Sequence, residues 1–239
     1  VEYLFVLAVG LIAGTVSGIV GTGSSIMLVP VLVYAFGPKE AVPIMAVAAL
    51  IGNVSRVMAW WREVDWRACG AYAVSGLPAA ALGAKTLLVL PARIVDLAIG
   101  VFLIAMVPTW RVLSAAKFKL QLWHLTILGA GIGYLTGIVV STGPLSVPVF
   151  LAYGLLKGAF IATEAASSLG VYLGKTLAFR EFGALPMAVI LKGLVAGSAL
   201  MGGSFVAKHF MVRLTPSHFR LLMDGLLLAA GVSMLWAAL

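Results

Sequence analysis

The sequence predicts an all-α, polytopic integral membrane protein built from two homologous repeats of four to five helical segments each. Three observations predict it. Of the 239 residues, 62% are hydrophobic and only 10% charged, with a mean hydropathy of +1.13. A soluble domain carries about 25% charged residues, so this chain has too little polar surface to cover a globule. Apolar runs fill the length, at about 3–20, 25–36, 41–61, 68–90, 93–110, 123–140, 145–156, 159–179, 184–207 and 219–238. A break made of small residues recurs: Gly14 to Pro30 reads GTVSGIVGTGSSIMLVP, and Gly133 to Pro148 reads GYLTGIVVSTGPLSVP.

The first run lacks a basic leader and leads straight into the break, so it is read as a helix and not as a signal peptide. Roughly 20 residues are needed to span the hydrocarbon core. The runs at 25–36 and 145–156 fall short and are expected as half-length helices, each following a break. An uncharged interruption at membrane depth is tolerated only where its backbone is buried in protein or lines a cavity. Interrupted segments at matching places in two halves point to a transporter binding site. Other stretches match as well: Trp60-Trp61-Arg62-Glu63-Val64 with Ala178-Phe179-Arg180-Glu181-Phe182, and Pro91 to Gly100 with Pro216 to Gly225. The simplest organisation is a first repeat at 1–113, a basic linker at 114–122 and a second repeat at 123–239.

The formal charge of +8 would point to nucleic acid in a soluble protein. Here the basic residues lie between apolar runs, where they set orientation, so the expected surroundings are lipid and no nucleic acid. If the repeats are inverted, one side collects Arg62, Arg67, Arg111, Lys117, Lys119, Lys157, Lys208, Arg213 and Arg220. The other side receives Lys39, Lys85, Arg93 and Arg180. The positive-inside rule then favours inversion, with both termini on the non-cytoplasmic side. Trp60, Trp61, Trp66, Trp110, Trp123 and Trp236 fall near run ends and read as interface anchors.

The candidate site is drawn from the breaks and from polar residues inside the runs. A helix N-terminus holds unsatisfied N–H groups and partial positive charge, which suits an anion. Gly21, Thr22, Gly23, Ser24 and Ser25 precede one half-helix; Ser141, Thr142 and Gly143 precede the other, with Ser146 just inside it. The competing reading makes these close-packing residues between helices. Asn53 and Arg56 share a face of the third run, and Ser167, Ser168, Glu164 and Lys175 lie on the eighth. Intramembrane charges mark a pathway, a relay or a buried pair. Arg56 and Glu164 fall at the same depth in the inverted arrangement, so coupling and a structural salt bridge both fit. Snorkelling of Arg56 and Lys175 toward headgroups is the other reading. Lys192 sits deeper in its run and would serve an anion pathway.

Taken together, these motifs resemble the sulfite exporter TauE/SafE family, also called the toluenesulfonate uptake permease family. The resemblance covers nearly the whole chain. It rests on the paired breaks with their prolines (Pro30, Pro148), on Arg62-Glu63-Val64-Asp65-Trp66-Arg67, and on Leu90-Pro91 followed by Gly100. It implies transport of sulfite, sulfonates or related organic acids across the bacterial inner membrane. The chain departs from the family pattern at Gly23-Ser24-Ser25 and at Ser141-Thr142-Gly143-Pro144, positions placed to tune substrate choice.

The expected function is a secondary transporter for a small anionic substrate, with an anion channel as the alternative. An intramembrane serine enzyme is the third class: serine chemistry needs a base, and His124, His209 and His218 all fall at run ends or in loops. No Walker A sequence occurs. No cofactor and no metal are expected, and a single cysteine, Cys69, rules out an intrachain disulfide. A homodimer is left open.

Overall fold

In a computed structural model of the chain, residues 2–20, 23–91, 119–139 and 142–210 are described, together with positions 94, 97, 101, 104, 105, 108, 112, 228 and 232. Among the described residues the protein is all-helical, with eight α-helices. They are α1 (Glu2–Val20), α2 (Ser24–Phe36), α3 (Pro38–Trp60), α4 (Trp66–Val89), α5 (Leu122–Ile138), α6 (Gly143–Tyr153), α7 (Lys157–Glu181) and α8 (Met187–Phe210). Of the apolar runs at 93–110 and 219–238 only isolated positions are described, and residues 114–118 of the linker lie outside the described residues.

The two short runs are the half-helices α2 and α6, of 13 and 11 residues. Gly23 starts α2 in the left-handed region, at φ 107°, a conformation that costs glycine nothing and most residues 1 kcal/mol or more, roughly. The chain then doubles back. Phe36, at the far end of α2, lies against Tyr3 at the start of α1, with ring centroids 5.6 Å apart. The second break does the same: Leu120, just before α5, donates its N–H to the Ala152 carbonyl near the end of α6, at 3.0 Å. Each break is therefore the tip of a helical hairpin.

Small residues decide which helices touch. Along α1, Gly10 faces Ala199, Gly14 faces Leu200 and Gly18 faces Ser204 and Ala207, so α1 and α8 run in the same direction. Along α5, Gly129 meets Tyr72, Gly133 meets Gly76 and Gly137 meets Ala80 and Ala84, so α4 and α5 are parallel too. A Cβ on Gly83 would lie 2.1 Å from the Tyr134 carbonyl oxygen, which only glycine permits. Gly193 and Gly197 fit Val47 and Ile51, aligning α8 with α3; Gly170 and Gly174 fit Ala73 and Leu77, aligning α7 with α4. The central pair α3 and α7 is antiparallel, with Arg56 opposite Glu164 and Trp60 beside Gly158.

Each hairpin has its own apolar core. Leu28 and Leu32 of α2 pack with Ile44, Met45 and Leu200; Phe150 of α6 packs with Tyr72, Leu125, Phe160 and Ile161. Large apolar side chains also face outward, among them Leu4, Val74, Leu82, Ile127 and Met187, as lipid contact requires. Three helical stretches, Glu40–Glu63, Trp66–Val89 and Met187–Ala207, are long and apolar enough to cross a membrane. The 25-residue α7 is not among them. It carries Thr163, Glu164, Ser167 and Lys175, all buried against protein.

Local capping fixes the ends. Asp65 starts α4 by accepting the N–H groups of Arg67 and Ala68 at 3.0 and 3.1 Å, a carboxylate cap at a positive helix end. Its own N–H donates to Thr163 Oγ1 at 2.9 Å, tying the α3–α4 turn to α7.

Candidate functional site

The two hairpin tips meet in the middle of the bundle, between α3 and α7. A narrow cleft opens there. The first hairpin supplies Gly23, Ser24 and Ser25; the second supplies Thr136, Thr142, Gly143 and Ser146. Helix α3 adds Ala49, Gly52, Asn53 and Arg56, and α7 adds Glu164, Ser168, Val171 and Tyr172, with Tyr72 from α4. Ser25, Asn53, Arg56, Thr142, Ser146 and Glu164 are each buried. The first turns of both half-helices thus open onto one cleft, and the N-terminal residue of α6 is followed by Pro144, which has no N–H to strand.

One network crosses the cleft. Arg56 Nη1 lies 3.2 Å from Glu164 Oε2, an ion pair between side chains that are 8% and 3% exposed. Arg56 Nη2 also donates to Asn53 Oδ1, which sits one turn earlier on the same face of α3. The second oxygen of Glu164 accepts from Ser146 at 3.0 Å and from Ser168 at 2.9 Å. The carboxylate therefore joins α3, α6 and its own helix. At the tip of the second hairpin the hydroxyls of Thr136 and Thr142 are hydrogen-bonded to each other.

The cleft gathers Gly23, Ser24, Ser25, Asn53, Arg56, Thr142, Gly143, Glu164 and Ser168 from the candidates named above. Gly21, Thr22 and Ser141 lie outside the described residues. Ser167 points elsewhere: it donates to the Thr163 carbonyl at 2.7 Å and faces Cys69. Lys175 does not snorkel. It is 1% exposed, and its Nζ donates to the carbonyls of Thr136 and Val139 at 2.7 and 2.8 Å. A cation on the last carbonyls of a helix is favourably placed, so Lys175 caps the first arm of the second hairpin beside the cleft. Lys192 is outside the cleft, paired with Glu40 at 2.5 Å near the start of α3 and over the ring of Phe36.

The structure adds Tyr72, Thr136 and Tyr172 to the wall. Tyr172 left a signal, since a tyrosine in mid-run is remote from the interfacial belt that explains most of them. Thr136 was hidden inside a small-residue stretch that reads equally well as packing.

The sequence model of the sulfite exporter TauE/SafE family matches residues 6–234. The chain belongs to this family. It is also similar to the probable membrane transporter protein YjnA of Bacillus subtilis (strain 168), at 21% identity over 253 residues, covering 96% of this chain and 98% of that protein. No solved structure matches. The TauE/SafE chain is thus a membrane transporter in class.

Proposed function

We propose that this TauE/SafE protein is a secondary transporter that carries a small anion across the bacterial inner membrane by alternating access. The substrate class is sulfite, a sulfonate or a related sulfur-containing or carboxylate anion, and the central cleft is its binding site. The observation that carries the reading is the convergence of two half-helix N-termini on one cleft that also holds Arg56 and Asn53. Backbone N–H groups, hydroxyls and a guanidinium are the donors an oxyanion needs.

Support for two inverted repeats comes from helix direction. Exchanging α1 with α5, α3 with α7 and α4 with α8 converts the α1–α8 contact into α4–α5, and the α3–α8 contact into α4–α7. Helix α1 is parallel to α8, and α5 is parallel to α4; α4 and α8 in turn follow the opposed α7 and α3. The first hairpin therefore enters from one end of the bundle and the second from the other, and each half is built to open one side. Arg62, Arg67, Lys119 and Lys157 then fall at one end, with Lys85 and Arg180 at the other. The end with Arg62, Arg67, Lys119 and Lys157 is the cytoplasmic one by the positive-inside rule.

The test is anion affinity and flux. Ser25→Ala and Thr142→Val each remove a hydroxyl from the cleft, and a hydrogen bond to a charged ligand is worth roughly 1.5–3 kcal/mol. Affinity for sulfite or methanesulfonate should fall about tenfold or more in each variant, with the melting temperature little changed. Gradient-driven uptake into liposomes should fall with it. Unchanged affinity in both variants would move the site away from the hairpin tips.

A further inference from the structure

We infer that Glu164 is the proton-coupling group of this cleft: it holds Arg56 when ionised and surrenders it to the anion when it takes up a proton. The inference rests on the anion-site reading above and assigns it a second substrate, the proton. Three observations carry it. The guanidinium that lines the cleft is engaged by a carboxylate lining the same cleft, Nη1 to Oε2 at 3.2 Å. The two carboxylate oxygens are used differently, with Ser146 and Ser168 both donating to Oε1 and Arg56 alone among them reaching Oε2. And Glu164 is buried, so its charge is balanced by Arg56 and not by bulk water.

An anion entering this cleft meets a carboxylate already there. Like charges in one small, poorly solvated space repel strongly, and one of them is driven to protonate. A proton added to Oε2 makes Glu164 neutral while Oε1 keeps both serine hydrogen bonds. Arg56 then loses its counter-ion and is left beside two helix N-termini, where the substrate anion replaces the carboxylate. Proton and anion enter together, and neither Arg56 nor Glu164 is stranded as a lone charge at any stage. Among the described residues the other titratable groups facing this network are Tyr72 on α4 and Tyr172 on α7 itself. Lys175, further along α7, is committed to the α5 carbonyls. Ser146 ties the event to the second hairpin, because the carboxylate that changes charge is the one to which the hairpin tip is bonded.

Binding and protonation are then linked, each favouring the other by the same factor. The sign follows: the anion-bound form holds the proton more tightly, so affinity is highest at low pH and falls as pH rises, by up to about tenfold per pH unit for one proton. The probe is methanesulfonate, which stays ionised from about pH 5 to 8, measured by calorimetry on the purified full chain in lipid nanodiscs. Wild type should bind more weakly as pH rises and take up close to one proton per anion in weakly buffered solution. Glu164→Gln should bind with the wild type's low-pH affinity at every pH, with no proton uptake. Wild type and Glu164→Gln with the same pH dependence, or binding without proton uptake, would overturn the coupling while leaving the anion site standing. Absence of methanesulfonate and sulfate binding by the wild type at all pH values would overturn the site itself.

Discussion

The Arg56–Glu164 pair allows a quantitative test of how the interior is balanced. Both side chains are almost fully buried, and their charged atoms are 3.2 Å apart. Replacing Arg56 by leucine leaves the Glu164 carboxylate, among the described residues, with hydroxyl donors only, Ser146 and Ser168. Replacing Glu164 by leucine takes the Glu164 carboxylate from the guanidinium, which still donates to Asn53. Breaking a buried pair by removing one member costs about 3–5 kcal/mol, because the survivor is a desolvated charge. Replacing both members by apolar residues of similar volume is close to neutral. The double variant Arg56→Leu/Glu164→Leu should therefore be more stable than either single variant, with a coupling energy of about 3 kcal/mol or more. Thermal unfolding of the four proteins in one detergent, combined as a double-mutant cycle, measures it. The double variant should also be folded yet unable to transport, since stability is restored without the cation. Additive losses, with the double variant no better than the worse single one, would refute the reasoning.

Lys192→Ala breaks a pair whose side chains are 22% and 43% exposed, so it should cost less than about 1 kcal/mol and leave anion affinity unchanged; a large affinity loss would bring Lys192 into the pathway. Gly83→Leu forces a side chain into the Tyr134 carbonyl and Gly137; it should separate α4 from α5 and abolish the folded, monodisperse protein, and a well-behaved variant would mean these helices are not in contact. For orientation, cysteines placed at Arg67 and Lys157 after Cys69→Ala should resist a membrane-impermeant thiol reagent in intact cells, whereas Lys85→Cys and Arg180→Cys should react. The reverse pattern would invert the topology.

Much of this architecture was legible because its signals are local. The half-helices could be read from length alone, as 25–36 and 145–156 are too short to span, and the structure has α2 and α6 there. The meeting of Arg56 with Glu164 could be read from depth, because an antiparallel α3–α7 pair brings equal depths together. What stayed hidden depends on direction and distance. Whether a half-helix continues across or turns back depends on the backbone at the break, where Gly23 adopts a positive φ of 107°, and nothing in the apolar pattern on either side differs between the two outcomes. In the sequence Lys175 reads as a charge on the Glu164 run that either couples or snorkels, and Lys192 as a deeper cation serving an anion pathway. One proved to cap a helix end and the other to pair with Glu40, since the deciding partners are 36 and 152 residues away in the chain.

The two halves contribute unequally to the cleft, and the inequality has a physical reason. On the alignment that sets Trp60 opposite Ala178, Arg56 falls opposite Gly174, Glu164 opposite Ala46 and Lys175 opposite Val57. In an inverted-repeat transporter the backbone tips can be duplicated freely, because each contributes uncharged donors and helix-end charge of the same sign. The ionised side chains cannot be. A second Arg–Glu pair in the same cleft would add two more desolvated charges, each costing several kcal/mol, roughly, before any compensation. It would also give the anion two carboxylates to displace instead of one. The single Arg56–Glu164 pair avoids both costs. It also fixes which half reports on the other: Glu164 touches α3 of the first half through Arg56 and the second hairpin through Ser146. Any change in its charge therefore acts on α3 and on the second hairpin at once.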